Sequence, residues 1–233
     1  NDLIMPPSPS QGGNETGMKY REVQGCYSTA SRGGGRAGTN QLEAQYLVDR
    51  LAQIIKKGHD HSIGIVAFSV TQRDMILEVL DQVRRDDPAL SDFLNEEGPD
   101  SLFVKNIENV QGDERDVILI SVGYGPTSVG GRLASMSFGP VNREGGERRL
   151  NVLFTRAKLR TEIFTSFDWR DIDLARSSAP GVSALKDYLE FAATGRQSTH
   201  FETGEGFDSD FERDVADTIK ALGFKATPQI GDQ

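Results

Sequence analysis

Short, nearly continuous apolar runs alternate along this chain with segments whose apolar residues recur every three or four positions. The runs predict buried strands and the periodic segments predict amphipathic helices. Strands are predicted at residues 19–27, 63–68, 102–104, 117–122 and 161–166. Helices are predicted from Thr39 or Asn40, from Thr71, over 147–158 and over 182–193. The alternation predicts an α/β fold built on a doubly wound parallel sheet.

The first predicted helix and both ends of the chain add detail to this outline. The apolar stripe of that helix is predicted to comprise Leu42, Ala44, Leu47, Leu51 and Ile54. Residues 1–16 are rich in Pro, Ser, Gly and Asn and are predicted to be a tail or linker. The predicted domain covers 17–195, a second linker covers 196–206, and 207–233 is predicted to be the truncated start of another domain. Because the sequence begins at Asn1, we expect a fragment of a longer protein.

Composition narrows the class of protein. With 36% hydrophobic and 26% charged residues, the sequence is typical of a globular protein, and it has no apolar run long enough to cross a bilayer. We therefore expect no membrane partner. The single cysteine, Cys26, fits a reducing compartment such as the cytoplasm, and the three histidines predict no metal site. The net charge of −9 argues against a protein that coats nucleic acid electrostatically, although a local basic groove is compatible with it.

One segment, residues 137–158, is basic within this acidic chain. It carries five basic side chains against two acidic ones, a local balance of 5 − 2 = +3. On the predicted helix, Arg149 and Arg156 lie seven positions apart and would share a stripe facing away from the sheet. Two guanidinium groups placed in this way suit a polyphosphate, because each offers a planar fork of donors. The alternative interpretation is a solvated basic helix face.

A second polar segment lies upstream, where Gln111, Gly112 and Glu114 lead into a predicted buried strand. Glycine lets the backbone approach a ligand closely, and Gln or Glu side chains can bind ribose hydroxyls or an attacking water. An ordinary turn with capping carboxylates would have the same composition. The two segments gain meaning only when they are taken together.

Together they resemble motifs of superfamily 1 helicases. QGDERDVI at 111–118 resembles motif V, RRLNVLFTRAK at 148–158 resembles motif VI, and residues 65–80 resemble motif IV. TNQLEA at 39–44 resembles the Asn-x-x-Glu-Ala helix start of the branch related to nonsense-decay and replication helicases. The resemblance covers residues 18–168. It implies a P-loop NTPase-like (RecA-like) fold of the AAA_12 type, in the C-terminal, second motor domain of such a helicase.

The resemblance implies roles for individual residues. Arg156 would be the arginine finger that stabilises charge on the γ-phosphate of ATP, and Arg73 would be a second phosphate contact. Glu114 would lie near the ribose. The residues implied at the nucleotide are Gln72, Gln111, Gly112, Glu114 and Arg149.

The sequence lacks one part of the family's machinery. No G-x-x-x-x-G-K-S/T loop (Walker A) is present, so the phosphate cradle and the Mg²⁺ ligands are expected in an N-terminal RecA-like domain of the same protein. The fragment alone is therefore not expected to hydrolyse ATP. The implied partner is nucleic acid, with DNA favoured over RNA.

Two other interpretations stay open. The chain could be a non-motor module that binds a nucleotide or a partner without turnover. Alternatively, it could feed an attached nuclease, because residues 207–233 resemble the first helix and strand of a PD-(D/E)xK nuclease-like domain found in large bacterial helicases. In that resemblance Glu212 would be an acidic residue of the nuclease site.

Overall fold

Five parallel strands form one sheet in the part of the chain that the structure describes. The computed structural model describes residues 16–29, 36–58 and 61–195. The order across the sheet is β1-β5-β4-β2-β3, and each neighbouring pair is parallel. The strands are β1 Gly17–Glu22, β2 Ile63–Ala67, β3 Phe103–Asn106, β4 Arg115–Ser121 and β5 Ala157–Thr165. The predicted parallel sheet is confirmed.

Helices cover both faces of this sheet. They are α1 Gln41–Lys56, α2 Val70–Val83, α3 Pro88–Leu94, α4 Gly146–Phe154 and α5 Pro180–Thr194. One apolar core contains buried residues of α1, α2 and α3, and the other contains buried residues of α4 and α5. We call these two sides the α1 face and the α4 face. The doubly wound arrangement is therefore confirmed, while the short helix α3 was not predicted.

The helix starts follow from local capping chemistry. Asn40 caps α1 by accepting a hydrogen bond from the backbone N–H of Glu43 at 3.2 Å, which decides between the two predicted caps. Ser69 caps α2, so that helix begins at Val70, one residue before the predicted Thr71. The predicted apolar stripe of α1 was wrong at Leu42, which is 42% exposed.

The end of α4 differs most from the prediction. A helix was predicted to continue to residue 158, but α4 ends at Phe154 and β5 begins at Ala157. The backbone N–H of Arg156 still bonds to Leu153 O at 3.1 Å, whereas its carbonyl already accepts from Arg115 N of β4 at 3.1 Å. Pairing with β4 therefore overrides the helical periodicity, and Arg156 lies in the turn between helix and strand.

Two glycines allow close packing where α4 and α5 begin. A Cβ on Gly146 would lie 1.9 Å from the carbonyl oxygen of Val141, and a Cβ on Gly181 would lie 2.1 Å from the same atom. Both distances are far below van der Waals contact, and the obstructing atom is backbone. The start of each helix can therefore reach Val141 only where a side chain is absent.

The predicted tail, linker and second domain fall largely outside this description. Residues 1–15, 196–206 and 207–233, including Glu212, lie outside the described residues. Within the described ranges, no helix combines the length and the apolar character needed to cross a membrane.

We expect Gly181→Ala to lower the unfolding free energy by about 2 kcal/mol or more, because the added methyl group overpacks against backbone that cannot rotate away. Urea unfolding followed by circular dichroism measures the loss. Gly58→Ala is the control, since Gly58 has a φ of +65° but nothing within 4 Å of its Cβ position. That control should cost only about 1 kcal/mol of backbone strain. Equal losses in the two variants would show that the contact with Val141 is unimportant.

Candidate functional site

A cleft on the α4 face lies between α4 and the crossover that joins β3 to β4, residues 107–114. Its volume is about 390 Å³, within the range of about 300–1,000 Å³ typical of small-ligand sites. The residues lining it are Ile107, Glu108, Gln111, Arg148, Arg149 and Val152. The structure thus brings together Gln111 and Arg149, which were predicted from two separate sequence segments.

Two ion pairs join the crossover to the α4 segment, by which we mean residues 143–156. Arg143 Nη1 is 3.3 Å from Glu108 Oε1, and Arg156 Nη1 is 3.8 Å from Glu114 Oε1. Of the charged side chains that line the cleft, Arg148 and Arg149 are basic and Glu108 is acidic, a balance of 2 − 1 = +1 in a chain of net charge −9. The cleft is therefore locally basic, as anion binding requires.

Arg156 is held by the turn that contains it. Its Nε donates to Val152 O at 2.9 Å, and its Nη2 donates to Thr155 Oγ1 at 3.0 Å. The remaining nitrogen, Nη1, has only the ion pair with Glu114 within the described residues, at a distance beyond hydrogen bonding. With its side chain 19% exposed, the guanidinium is oriented by the protein and can still donate to an anion.

The crossover places Gln111 and Glu114 through a glycine turn. Gly112 has a φ of +89°, a conformation that favours glycine, and nothing lies within 4 Å of its Cβ position. The next residue, Asp113, is fixed by a 2.5 Å contact between its Oδ2 and Lys105 Nζ of β3. The side chain of Glu114 is 52% exposed, so its carboxylate is accessible from solvent.

The side chain of Arg149 is hydrogen-bonded to the backbone of the segment before α4. Its Nη1 donates to Glu144 O at 2.8 Å and to Pro140 O at 3.4 Å. The predicted common helical stripe of Arg149 and Arg156 was wrong, because α4 ends before Arg156 is reached. Arg149 nevertheless lines the cleft, and the side chain of Arg156 is hydrogen-bonded to the carbonyl oxygen of Val152, which also lines it.

The structure does not bring Gln72 and Arg73 to this cleft. Both lie in the first turn of α2, on the α1 face and beyond the carboxyl end of β2. Arg156 lies at the amino end of β5, on the other side of the sheet. Arg73 instead contacts its neighbour, with Nε and Nη2 at 2.9 and 2.5 Å from Asp74 Oδ1. Within this domain, a phosphate at Arg156 is out of reach of Arg73.

Comparison with known proteins identifies the family. The family model AAA_12, described as an AAA domain, matches residues 15–166, which is most of the chain and includes both walls of the cleft. The chain belongs to this AAA domain family. That membership agrees with the P-loop NTPase-like fold class predicted from the sequence.

Curated relatives of this AAA domain are much longer proteins. It is 39% identical over 155 residues to the uncharacterized ATP-dependent helicase MG140 of Mycoplasma genitalium, covering 64% of this chain and 13% of the relative. The homolog from Mycoplasma pneumoniae is also 39% identical, over 159 residues, covering 66% of this chain and 14% of the relative. The chain thus spans about one seventh of the length of the relatives it matches.

A remote similarity extends to a solved structure. The crystal structure of the C-terminal domain of a possible DNA helicase from Lactobacillus plantarum WCFS1 is 13% identical, with a TM-score of 0.31. The match covers 64% of this chain and 76% of that chain.

A buried carboxylate organises the carboxyl edge of the sheet in this AAA domain. Glu43, in the first turn of α1, has no exposed surface. Its Oε1 accepts from Ser121 Oγ and Gly123 N, each at 2.7 Å. Its Oε2 accepts from Ser166 Oγ at 3.1 Å and from Asn40 Nδ2 at 3.4 Å. One side chain thereby joins α1 to the segments that follow β4 and β5.

Gln72 belongs to this network. Its Nε2 donates to Asn40 O and to Ser121 Oγ, each at 3.0 Å, and its Oε1 accepts from Asn40 N at 2.7 Å. Both amide protons and the amide oxygen are therefore bonded inside the protein. Sequence reasoning did not single out Glu43 as a network centre, although the TNQLEA segment contains it together with Asn40.

The environment of Glu43 raises its pKa from 4.5 to about 7. Burial is the largest cause, since it disfavours the charged form. Hydrogen bonds from Ser121, Gly123 and Ser166 act in the opposite direction, because they stabilise the carboxylate. Glu43 therefore changes between its protonated and its ionised form near neutral pH.

We expect Glu43 to make the domain less stable as pH rises from 4.5 to about 7. The folded state binds the proton more tightly than the unfolded state, so this contribution is full below 4.5 and is lost on passing through the folded pKa. The shift corresponds to about 3 kcal/mol. In Glu43→Gln, the unfolding free energy should change correspondingly less with pH across this window, as measured by urea unfolding at several pH values.

Glu97→Gln is the control for this measurement. Glu97 is exposed, so its removal should leave the pH profile of the parent chain unchanged. A Glu43→Gln profile parallel to the parent's would contradict the raised pKa.

Proposed function

We propose that this chain is the second, C-terminal RecA-like motor domain of an ATP-dependent superfamily 1 helicase or translocase. Membership of the AAA domain family and the helicase names of two relatives support a motor protein. Since the chain spans only 13–14% of those relatives, the activity is proposed for the full-length protein and not for this domain alone.

One observation carries this proposal. The crossover and the α4 segment come from distant parts of the sequence, and Gln111 and Arg149 line one basic cleft between them. Glu114 and Arg156 form an ion pair between the same two segments. A polyphosphate is the anion that such an array suits, because several fixed donors can share its distributed charge. The family resemblance assigns the same two segments to the nucleotide.

In the proposed mechanism, Arg156 is the arginine finger. Its Nε and Nη2 are bonded to the protein, so the guanidinium needs little reorganisation to present Nη1 to a γ-phosphate oxygen. Charge develops on that oxygen as the phosphoryl group is transferred to water. Gln111 and Glu114 are proposed to face the ribose or the attacking water, and Gly112 lets the crossover approach them closely.

The remaining parts of the ATP site are proposed to lie in an N-terminal RecA-like domain of the same protein. The described part of the chain holds no group of three or more His, Cys, Asp or Glu side chains suited to a metal ion. Mg²⁺ would be held by that other domain, where it would neutralise charge on the phosphates. Gln72 and Arg73 face away from this cleft, so any contact they make with the nucleotide would not be to the phosphate at Arg156.

We expect Arg156→Ala in the full-length protein to reduce nucleic-acid-stimulated ATP hydrolysis by about 10³-fold or more while leaving ATP affinity within about 3-fold, because a finger acts mainly on the transition state. Steady-state ATPase assays and binding of a fluorescent ATP analogue measure the two effects. Arg156→Lys should also be strongly impaired, since an ammonium group cannot donate to Val152 O, Thr155 Oγ1 and a phosphate from one planar fork.

Arg84→Ala is the matched control, because Arg84 is an exposed arginine at the end of α2 and, within the described ranges, its one ion pair is with Asp81. It should retain full turnover. Unchanged turnover in Arg156→Ala would refute the finger, and would favour a module that takes no part in the ATP hydrolysis of the full-length protein.

The nucleic acid is proposed to be DNA. The support is the resemblance to large bacterial helicases with an attached nuclease-like domain, a segment that lies outside the described residues. We expect single-stranded DNA to stimulate the ATPase of the full-length protein more than RNA of the same sequence does. Equal or greater stimulation by RNA would contradict the preference, and ATP-independent, metal-dependent cleavage would favour the nuclease as the main activity.

A further inference from the structure

Two tyrosines stack on each other at the carboxyl edge of the sheet, outside the lining of the cleft. Tyr27 follows β1 and Tyr124 follows β4, so the pair spans the end of β5, which lies between those strands. The ring centroids are 5.4 Å apart and the ring planes are inclined by 28°. Both residues are partly exposed, in contrast to the fully buried Phe138 beneath them. The pair therefore lies at the margin of the core, where Tyr124 packs on it and both tyrosines remain partly accessible to a ligand.

Aromatic packing and a backbone hydrogen bond fix the position of this pair. Tyr124 meets the edge of Phe138 at 5.8 Å and 88°, and Phe138 packs on Phe167 at 5.4 Å. The backbone of Tyr27 donates to Pro126 O at 2.8 Å, which ties the segment after β1 to the segment after β4. A planar ligand stacking on such a surface would lose little free energy to ordering of the protein.

A cation adjoins the aromatic surface. Burial, together with the neighbouring Tyr27, raises the pKa of the Tyr124 hydroxyl to about 12. Arg143 lies close enough to Tyr124 to act in the opposite direction, because its positive charge favours the ionised form. Tyr124 therefore stays a neutral phenol. The side chain of Arg143 is 66% exposed, and its partner Glu108 is 3.3 Å away. An aromatic face beside an exposed guanidinium suits a ligand that joins a flat ring to a phosphate.

We propose that Tyr27 and Tyr124 form a stacking site for a base of single-stranded nucleic acid, with Arg143 at the adjoining phosphate. Every base has an aromatic face, so stacking of this kind binds a strand without selecting its sequence. The site rests on the proposed function, since it assigns a contact to the nucleic acid on which that motor would act. A protein partner is the competing occupant, and it would not require bases.

One strand connects this site to the nucleotide cleft. Glu114 immediately precedes β4 and Tyr124 lies three residues after its end. β4 lies between β5 and β2 and is buried on both faces from Val117 to Ser121, so it can transmit a displacement with little bending. A base bound at Tyr124 would therefore act, through a displacement of β4, on the segment that carries Gln111 and Glu114.

The experiment compares two strands that differ only in their bases. Full-length protein without ATP is titrated into fluorescent single-stranded oligodeoxyadenylate, or into an abasic oligomer of the same length, and the Kd is read from anisotropy. We expect Tyr27→Leu to weaken binding of the oligodeoxyadenylate by about 10-fold and to leave binding of the abasic oligomer unchanged. Tyr27→Phe should restore the affinity, because it keeps the ring.

The controls separate stacking from damage to the fold. Tyr46→Leu replaces another exposed tyrosine, 52% exposed on α1, and should bind both oligomers normally. Tyr27→Trp should bind the oligodeoxyadenylate with the affinity of the parent protein. Its indole fluorescence should be quenched when the oligodeoxyadenylate is added but not when the abasic oligomer is added. The one tryptophan of the parent chain, Trp169, contributes the background signal of this chain.

The outcomes are distinguishable from those of the proposed function. Equal loss for the two oligomers, or no loss in Tyr27→Leu, would overturn the stacking site even if DNA-stimulated ATPase activity is intact. Absence of that activity in the parent protein would overturn the motor proposal by itself.

Discussion

Glu43 lies beneath the carboxyl edge of the sheet, where removal from water opposes its ionisation. Hydrogen bonds from Ser121, Gly123, Ser166 and Asn40 offset part of this cost, and they come from the end of β4, from the segments after β4 and β5, and from the N-cap of α1. Loss of one such donor from a buried carboxylate costs about 1–3 kcal/mol, so these segments cannot shift independently. The backbone above the network is equally constrained, since a Cβ on Gly25 would lie 2.4 Å from Asn40 Oδ1. The tyrosine pair takes its position from these segments.

The sheet separates the two kinds of polar site in this domain. Its three central strands, β2, β4 and β5, are largely buried between the two apolar cores, so a side chain on one face cannot reach a ligand on the other. The buried Glu43 network and Arg73 are on the α1 side, whereas the basic cleft and Arg156 are on the α4 side. β4 takes part in both, because the crossover with Gln111 and Glu114 leads into it and Gly123 follows it. It is the element through which the two sites would influence each other.

The strands and the layer arrangement could be predicted because buried parallel strands require apolar runs, which are visible in sequence. The end of α4 could not, since Leu150, Leu153, Phe154 and Ala157 keep helical spacing, and only pairing of Arg156 with Arg115 of β4 ends the helix there. Motif spacing indicated Gln111 and Arg149, which do line one cleft, and Arg156, which is bonded to Val152 in the same lining. It also indicated Gln72, because a short motif does not show which way its helix faces. The amide of Gln72 is fully hydrogen-bonded to Asn40 and Ser121.

The network of Glu43 joins residues more than a hundred positions apart, and only the short TNQLEA segment contains two of its members close together in sequence.

The contacts of Arg156 differ in strength, and the difference matters for the proposed finger. The bonds to Val152 O and Thr155 Oγ1, at 2.9 and 3.0 Å, fix the plane of the guanidinium. The contact to Glu114, at 3.8 Å and with a carboxylate that is 52% exposed, is of the kind worth about 0–1 kcal/mol in water. In the proposed motor, a phosphate arriving with the first domain would displace only this weak partner, and the two bonds that aim the side chain would stay intact. Glu114 would be released at the same moment, and because it directly precedes β4, closure on ATP would be communicated to the strand by exchange of one ion pair for another.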